Sequence, residues 1–191
     1  MVSEDDAGSR RALLSGVGAT LALALALAGC GKKAKAGHLS VKQAARPIQR
    51  VDIQILSGLL DLERHTVAAY TAGIPLLTHA DGKTAKQFLD EELQHTGELL
   101  SLITAAGGNA APRTASYDLG HPGDDAAVLE LLHGLERAQI VAYLAAIPRL
   151  SPGPVRAAVA SILANDAQHI AIIRMAQGMP AIPSAFVTGS E

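Results

Sequence analysis

The stretch LLDLERHTVAAYTAGIP, beginning at Leu59, returns in similar form as LLHGLERAQIVAYLAAIP from Leu131. Glu63, Tyr70 and Pro75 map onto Glu136, Tyr143 and Pro148 by one shift of 73. A second echo lies downstream of each. FLDEELQH and ILANDAQH align on their final histidines, so Glu92-x-x-His95 corresponds to Asp166-x-x-His169 by a shift of 74. The repeating unit is therefore a pair of segments, and the chain is constrained to two equivalent hairpins.

Alanine and leucine dominate these segments and strict apolar/polar alternation is absent, so the period is that of helices rather than strands. The spacing predicts an all-α chain with four helices. The first runs from about Ile48 toward Gly73 and Pro75, and the second from about Thr84 to Gly107-Gly108. The third starts near Asp124 and stops at Pro148; the fourth follows Ser151-Pro152, an N-cap and first-turn pair, and ends near Gly178. Short links within each pair call for antiparallel hairpins. The middle link, Gly107 to Gly123, spans 17 residues, which extended reach about 55 Å against about 38 Å for a helix of roughly 25 residues. It can cross the whole bundle or double back over the surface. The expected organisation is a four-helix bundle over residues 48–178 and a tail, 179–191, without helical period. That tail either wraps the bundle or hangs free.

Residues at i and i+3 share a helix face, so each carboxylate-x-x-His pair aims both groups at one point. With turns taken at about His79 and Ser151, Glu63, Glu92, His95, Glu136, Asp166 and His169 all fall within roughly one helical turn of a common layer. Four bare carboxylates there would raise one another's pKa and oppose folding, whereas two divalent cations would balance them. Nitrogen and oxygen ligands without sulfur suit iron or manganese, with zinc as a further choice. His133, one turn before Glu136, reads as a rim histidine or an added ligand. His65, His79 and His121 read as solvent-facing, and Glu91 and Glu98 as residues of the polar face, Glu98 also as a weaker candidate for supporting the ligands.

Composition narrows the partners. A formal net charge of −2 and 3% aromatic residues leave no basic stripe for phosphates and little for bases to stack on, so no nucleic-acid partner is expected. With 49% hydrophobic and 18% charged residues, the chain can bury one substantial core.

The six-residue set resembles the di-metal carboxylate site of the ferritin-like superfamily, and the chain looks closest to exported ferritin-like domains related to desiccation-associated proteins. The resemblance covers about Val51 to Gly178 and implies a ferritin-like four-helix bundle with a di-iron centre. Similar proteins often place a tyrosine seven residues after the first-helix glutamate, and Tyr70 and Tyr143 both match. Their hydroxyls are expected to bond a ligand carboxylate or to serve electron transfer. One position departs from the pattern: the second motif usually begins with Glu, and Asp166 is one methylene shorter. Its oxygens should sit back by about 1.5 Å, weakening a metal bridge or turning it into a terminal contact.

The first residues read as targeting sequence. Ser9-Arg10-Arg11 before the apolar run SGVGATLALALALAG resembles a twin-arginine signal, and Leu27-Ala28-Gly29-Cys30 resembles a lipobox in which the cut precedes an acylated cysteine. Residues 1–29 are thus expected to be a signal peptide, with an uncleaved N-terminal membrane anchor as the alternative, Cys30 the lipidation site, and 30–47, GKKAKAGHLSVKQAARP after Cys30, a basic tether. The domain would be exported and lipid-anchored to the cell membrane, facing the periplasm or cell exterior.

Two functions follow as expectations. One is a redox di-metal protein that reacts with oxygen or peroxide, of ferroxidase, peroxidase or catalase-like type; the absence of a Cys-x-x-Cys pair excludes rubredoxin-type electron delivery. The other is a non-enzymatic lipoprotein acting as a cell-envelope scaffold or stress-protection module. A homodimer is compatible with either, and a lipid tether on every subunit argues against a closed storage shell.

Overall fold

A computed structural model describes residues 48–151 and 153–191. The expected signal peptide, Cys30 and the whole of the expected tether lie outside these residues, as does Pro152. Among the described residues there are four α-helices and no strand: α1 (Arg50–Gly73), α2 (His79–Ala105), α3 (Asp125–Ala146) and α4 (Gly153–Ala176). Short 3-10 turns, Ile74–Leu76 and Ile147–Arg149, close α1 and α3.

The ends of these helices follow from local chemistry. Thr78 caps α2 by accepting from the Asp81 backbone at 3.3 Å, and Asp124 caps α3 by accepting from Ala127 at 2.9 Å. The Thr78 cap corrects the expected start of α2: the helix begins at His79, five residues before Thr84, and the turn is at Leu77-Thr78. The run His79 to Lys83 is its first turn rather than a loop, with Gly82 buried. Gly107 and Gly178 follow α2 and α4 with φ of 74° and 73°. In that left-handed conformation, favoured by glycine, the next backbone N–H turns back to a helix carbonyl: Gly108 to Ile103 at 2.9 Å and Met179 to Arg174 at 2.8 Å.

The repeat is also a bracing device. Asp52, fully buried near the start of α1, accepts from the Ser151 backbone at 3.0 Å, while Asp125, at the start of α3, accepts from the Thr78 backbone at 2.6 Å. Both partners of the first bond map onto those of the second by the shift of 73. Each hairpin thus pins the turn of the other. Near the other end of α1, a Cβ on Gly73 would lie 2.6 Å from Val128 Cγ1, so this glycine lets α1 and α3 approach closely.

These ties define the topology. The start of α3 lies against the end of α1, so the link between α2 and α3 travels the length of the bundle. α1 with α2, α3 with α4, and α1 with α3 are antiparallel neighbours. The crossover is fastened along α1 by consecutive turns: Thr114 and Tyr117 donate to Asp61 Oδ1 at 3.0 and 2.8 Å, Arg64 donates to the Ala111 carbonyl at 2.9 Å, and His65 stacks on Tyr117 with centroids 4.7 Å apart. His65 is therefore half-buried beneath the crossover rather than solvent-facing; His79 and His121 are exposed. The tail docks on the bundle through Arg137 Nε to the Gly189 carbonyl (3.0 Å) and Arg174 Nε to the Pro180 carbonyl (2.8 Å).

Two apolar clusters fill the interior. One contains Leu56, Leu60, Leu99, Ile103, Tyr143 and Val159; the other contains Tyr70, Phe88, Val128, Leu132 and Ile173. Each cluster holds one of the two repeated tyrosines. Between them lies a polar layer.

Candidate metal centre

All six residues singled out by the repeat meet in that layer. Glu63, Glu92, Glu136 and Asp166 are fully buried, His169 is 1% exposed and His95 8%. Glu63 and Glu136 come from the middle of α1 and α3, and the two carboxylate-x-x-His pairs from α2 and α4, because each lies a similar distance from its hairpin turn. The imidazole centroids are 6.2 Å apart.

Their donor atoms fall into two groups sharing Glu92. Ligand atoms of Glu92, Glu136, Asp166 and His169 lie within 4.8 Å of one another, and so do those of Glu63, Glu92 and His95. His169 Nδ1 stands 3.2 Å from both Glu92 Oε1 and Glu136 Oε1. His95 Nδ1 is 3.7 Å from Glu63 Oε2, 3.7 Å from Glu92 Oε1 and 3.4 Å from Asp166 Oδ1, beyond good hydrogen-bonding distance. Asp166, for all its shorter arm, thus reaches toward both halves of the centre.

The set fits a cation pair on a physical ground. Glu63 Oε2, Glu92 Oε1, Glu136 Oε2, both Asp166 oxygens and His95 Nδ1 are buried without a hydrogen-bond partner. A carboxylate oxygen shut from water without a donor is costly, and here Glu63 Oε2, Glu92 Oε1 and Asp166 Oδ1 all lie within 3.7 Å of the equally orphaned His95 Nδ1. Nitrogen and oxygen donors of this kind suit iron, manganese or zinc.

Without cations, protons do the balancing. Burial pushes the Glu63 carboxyl up to about 8 against the pull of His95, with the neighbouring Glu92 charge adding to the rise. Burial and the surrounding carboxylates also raise Glu136 and Asp166, the latter strongly. For Glu92, burial is outweighed by the nearby His169 and His95 imidazoles, which hold it well below the usual range. Burial disfavours the imidazolium forms, yet the facing Glu63 and Glu92 carboxylates raise His95 to about 10, and those of Glu136 and Glu92 raise His169 to about 11.

The tyrosines reach across the two-fold. Tyr70 of the first hairpin donates to Glu136 of the second at 2.6 Å, and Tyr143 of the second donates to Glu63 of the first. Burial, and then the carboxylate each one faces, raise both phenols well above their ordinary value. They stay protonated and hold one oxygen of each glutamate in place.

Three residues differ from the sequence reading. Glu91 is not merely a polar-face residue: its Oε2 lies 2.7 Å from His169 Nε2. A donor on Nε2 leaves Nδ1 free to point into the centre, the arrangement by which an outer carboxylate fixes a ligand histidine. Gln139, not singled out from sequence, is fully buried and donates to Glu92 Oε2 at 3.1 Å. His133 is buried rather than at a rim, but it faces Arg137, Arg174 and Glu130 outside the two ligand groups. Glu98 is exposed.

Comparison with known proteins agrees with this architecture. Among curated proteins, none matches this sequence. A conserved hypothetical protein, rv2844, from Mycobacterium tuberculosis has a similar crystal structure. It matches with a TM-score of 0.64 and 19% identity, over 71% of this chain and 96% of that one; at that identity the likeness is one of fold. The family described as ferritin-like domain matches residues 51–179, the stretch that carries α1 to α4 and all six residues. The chain belongs to the ferritin-like domain family.

Proposed function

We propose that this is an exported, membrane-tethered ferritin-like protein that binds two iron or manganese ions and reacts with oxygen or peroxide through them. The observation that carries the reading is the convergence of orphaned, buried carboxylate and imidazole atoms from all four helices. When bound, a pair of redox-active cations supplies electrons to an oxygen or peroxide substrate. The chain's own part is positional. Glu92 belongs to both ligand groups, and Gln139 holds its outer oxygen. Tyr70 and Tyr143 steady Glu136 and Glu63, each with a proton available at the carboxylate oxygen. The two apolar clusters shut water out above and below, while His95, the most exposed of the six, marks the side nearest solvent. Export and tethering rest on the Arg10-Arg11 pattern and Cys30. No described helix is long and apolar enough to cross a membrane.

The test is ferrous oxidation by the full-length protein under air and under peroxide. Oxidation well above the buffer rate, lost in Glu92→Ala and slowed with metal retained in Tyr70→Phe, Tyr143→Phe, is the expected result. A protein that binds metal yet oxidises iron no faster than buffer would refute the redox reading and favour the scaffold role.

A further inference from the structure

A cavity of about 480 Å³ lies beside the metal layer, between α1, α2 and the crossover. Its volume is in the range of small-molecule pockets, roughly 300–1,000 Å³. The wall is mostly apolar, with Val67, Ala68 and Leu93 on the helices, and Arg64 of α1 and Arg113 of the crossover bring two cations to it. Thr114 and Ser116 add hydroxyls from the crossover.

The pocket is held open by design of the chain rather than by looseness. Long segments without secondary structure are uncommon in compact domains unless they serve a function. This one is fixed by Asp61, Arg64 and His65, successive groups on one side of α1. Asp61 spends its Oδ1 on Thr114 and Tyr117, so it fastens the wall, and it forms no ion pair with either arginine. Among the described residues neither guanidinium is in an ion pair. Arg64 uses one terminal nitrogen on the Ala111 carbonyl, which leaves its other terminal nitrogen without a hydrogen bond among the described residues. Two guanidiniums without an ion-pair partner beside an apolar wall favour an anion with an apolar body, and a carboxylate is the group whose geometry a guanidinium fork matches.

We propose that this pocket binds an organic carboxylate with an apolar body, the carboxylate held by Arg64 and Arg113 and the body against Val67, Ala68 and Leu93. The site is separate from the metal centre and does not depend on it, although Thr96 in its floor is the residue after His95.

Calorimetric titration of the full-length chain with decanoate tests this, with decanol and inorganic phosphate as comparison ligands. Decanoate binds, decanol binds at least tenfold more weakly, and phosphate alone does not bind measurably. Arg113→Gln weakens decanoate by about tenfold, and Ala68→Trp, which fills the cavity without changing charge, removes binding. Circular dichroism checks that both variants are folded. Decanoate that fails to bind at millimolar concentration, decanol that binds equally well, phosphate that binds as tightly as decanoate, or full binding retained in folded Ala68→Trp would each overturn the proposal.

Discussion

Replacing Glu91 with alanine should weaken one metal position and spare the other. The two ligand groups are inequivalent in just this respect. Glu91 lies 2.7 Å from His169 Nε2, whereas its repeat counterpart, Asn165, turns instead to Glu91 itself at 3.4 Å. Losing an outer partner of a ligand histidine typically reduces metal affinity by about 10–100-fold, or about 1.4–2.7 kcal/mol. The Glu91 side chain is 27% exposed, so solvent screening places the expected loss near the lower end, about tenfold. The assay is calorimetric titration of chelator-stripped, full-length protein with manganese. Wild type should show two binding phases. In Glu91→Ala the phase belonging to the His169 group should shift by about tenfold, and the phase of Glu63 and His95 should stay in place. Glu91→Gln, which keeps an acceptor but not the charge, should fall between. Equal weakening of both phases, or no change in either, would refute the assignment of Glu91 to His169.

Two further outcomes follow from the same geometry. Asp52→Ala deprives two backbone N–H groups of a buried carboxylate, at Gln49 (2.8 Å) and Ser151 (3.0 Å), in part-buried bonds, and should lower stability by about 2–3 kcal/mol. Asp125→Ala, at the more exposed equivalent bond, should cost only about 1 kcal/mol; urea unfolding of the metal-free variants measures both, and equal effects would contradict the bracing argument. The metal-free protein should also melt at lower temperature as pH rises from about 6.5 through about 10. His95 and His169 have folded pKa values raised to about 10 and about 11, so their stabilisation is complete below the unfolded value and lost as pH climbs through the folded one. Glu63, raised to about 8, acts in the same direction. Metal displaces these protons, so affinity should rise with pH over the same window; a metal-free melting temperature that climbs toward pH 10 would count against the proton-balanced cluster.

The centre was legible because its six residues obey helical spacing within each hairpin and a near-constant shift between hairpins. What the spacing could not supply was contact between helices. Glu91 sits on a flank of α2 that looks solvent-facing until α4 is packed beside it, and its partner lies 78 residues away in the chain. A clue was present, since Glu91 aligns with Asn165 and so marks where the repeat breaks. Asp52 and Asp125 were equally available, aligned by the shift of 73, but an aspartate near a helix start has a ready local explanation as a cap. Gln139 aligns with Thr66, so no repeat pointed to it. The start of α2 was hidden by a polar first turn, where Gly82 and Lys83 outweigh a cap at Thr78 when only local sequence is read.

Elemental analysis of the full-length protein, produced in metal-replete medium and compared with a Glu92→Ala, Asp166→Ala variant, tests the central claim most directly. About two iron or manganese ions per chain in the wild type, absent from a variant that retains its helical content, is the predicted result. A well-folded wild type that stays metal-free after reconstitution with ferrous iron and manganese would contradict it.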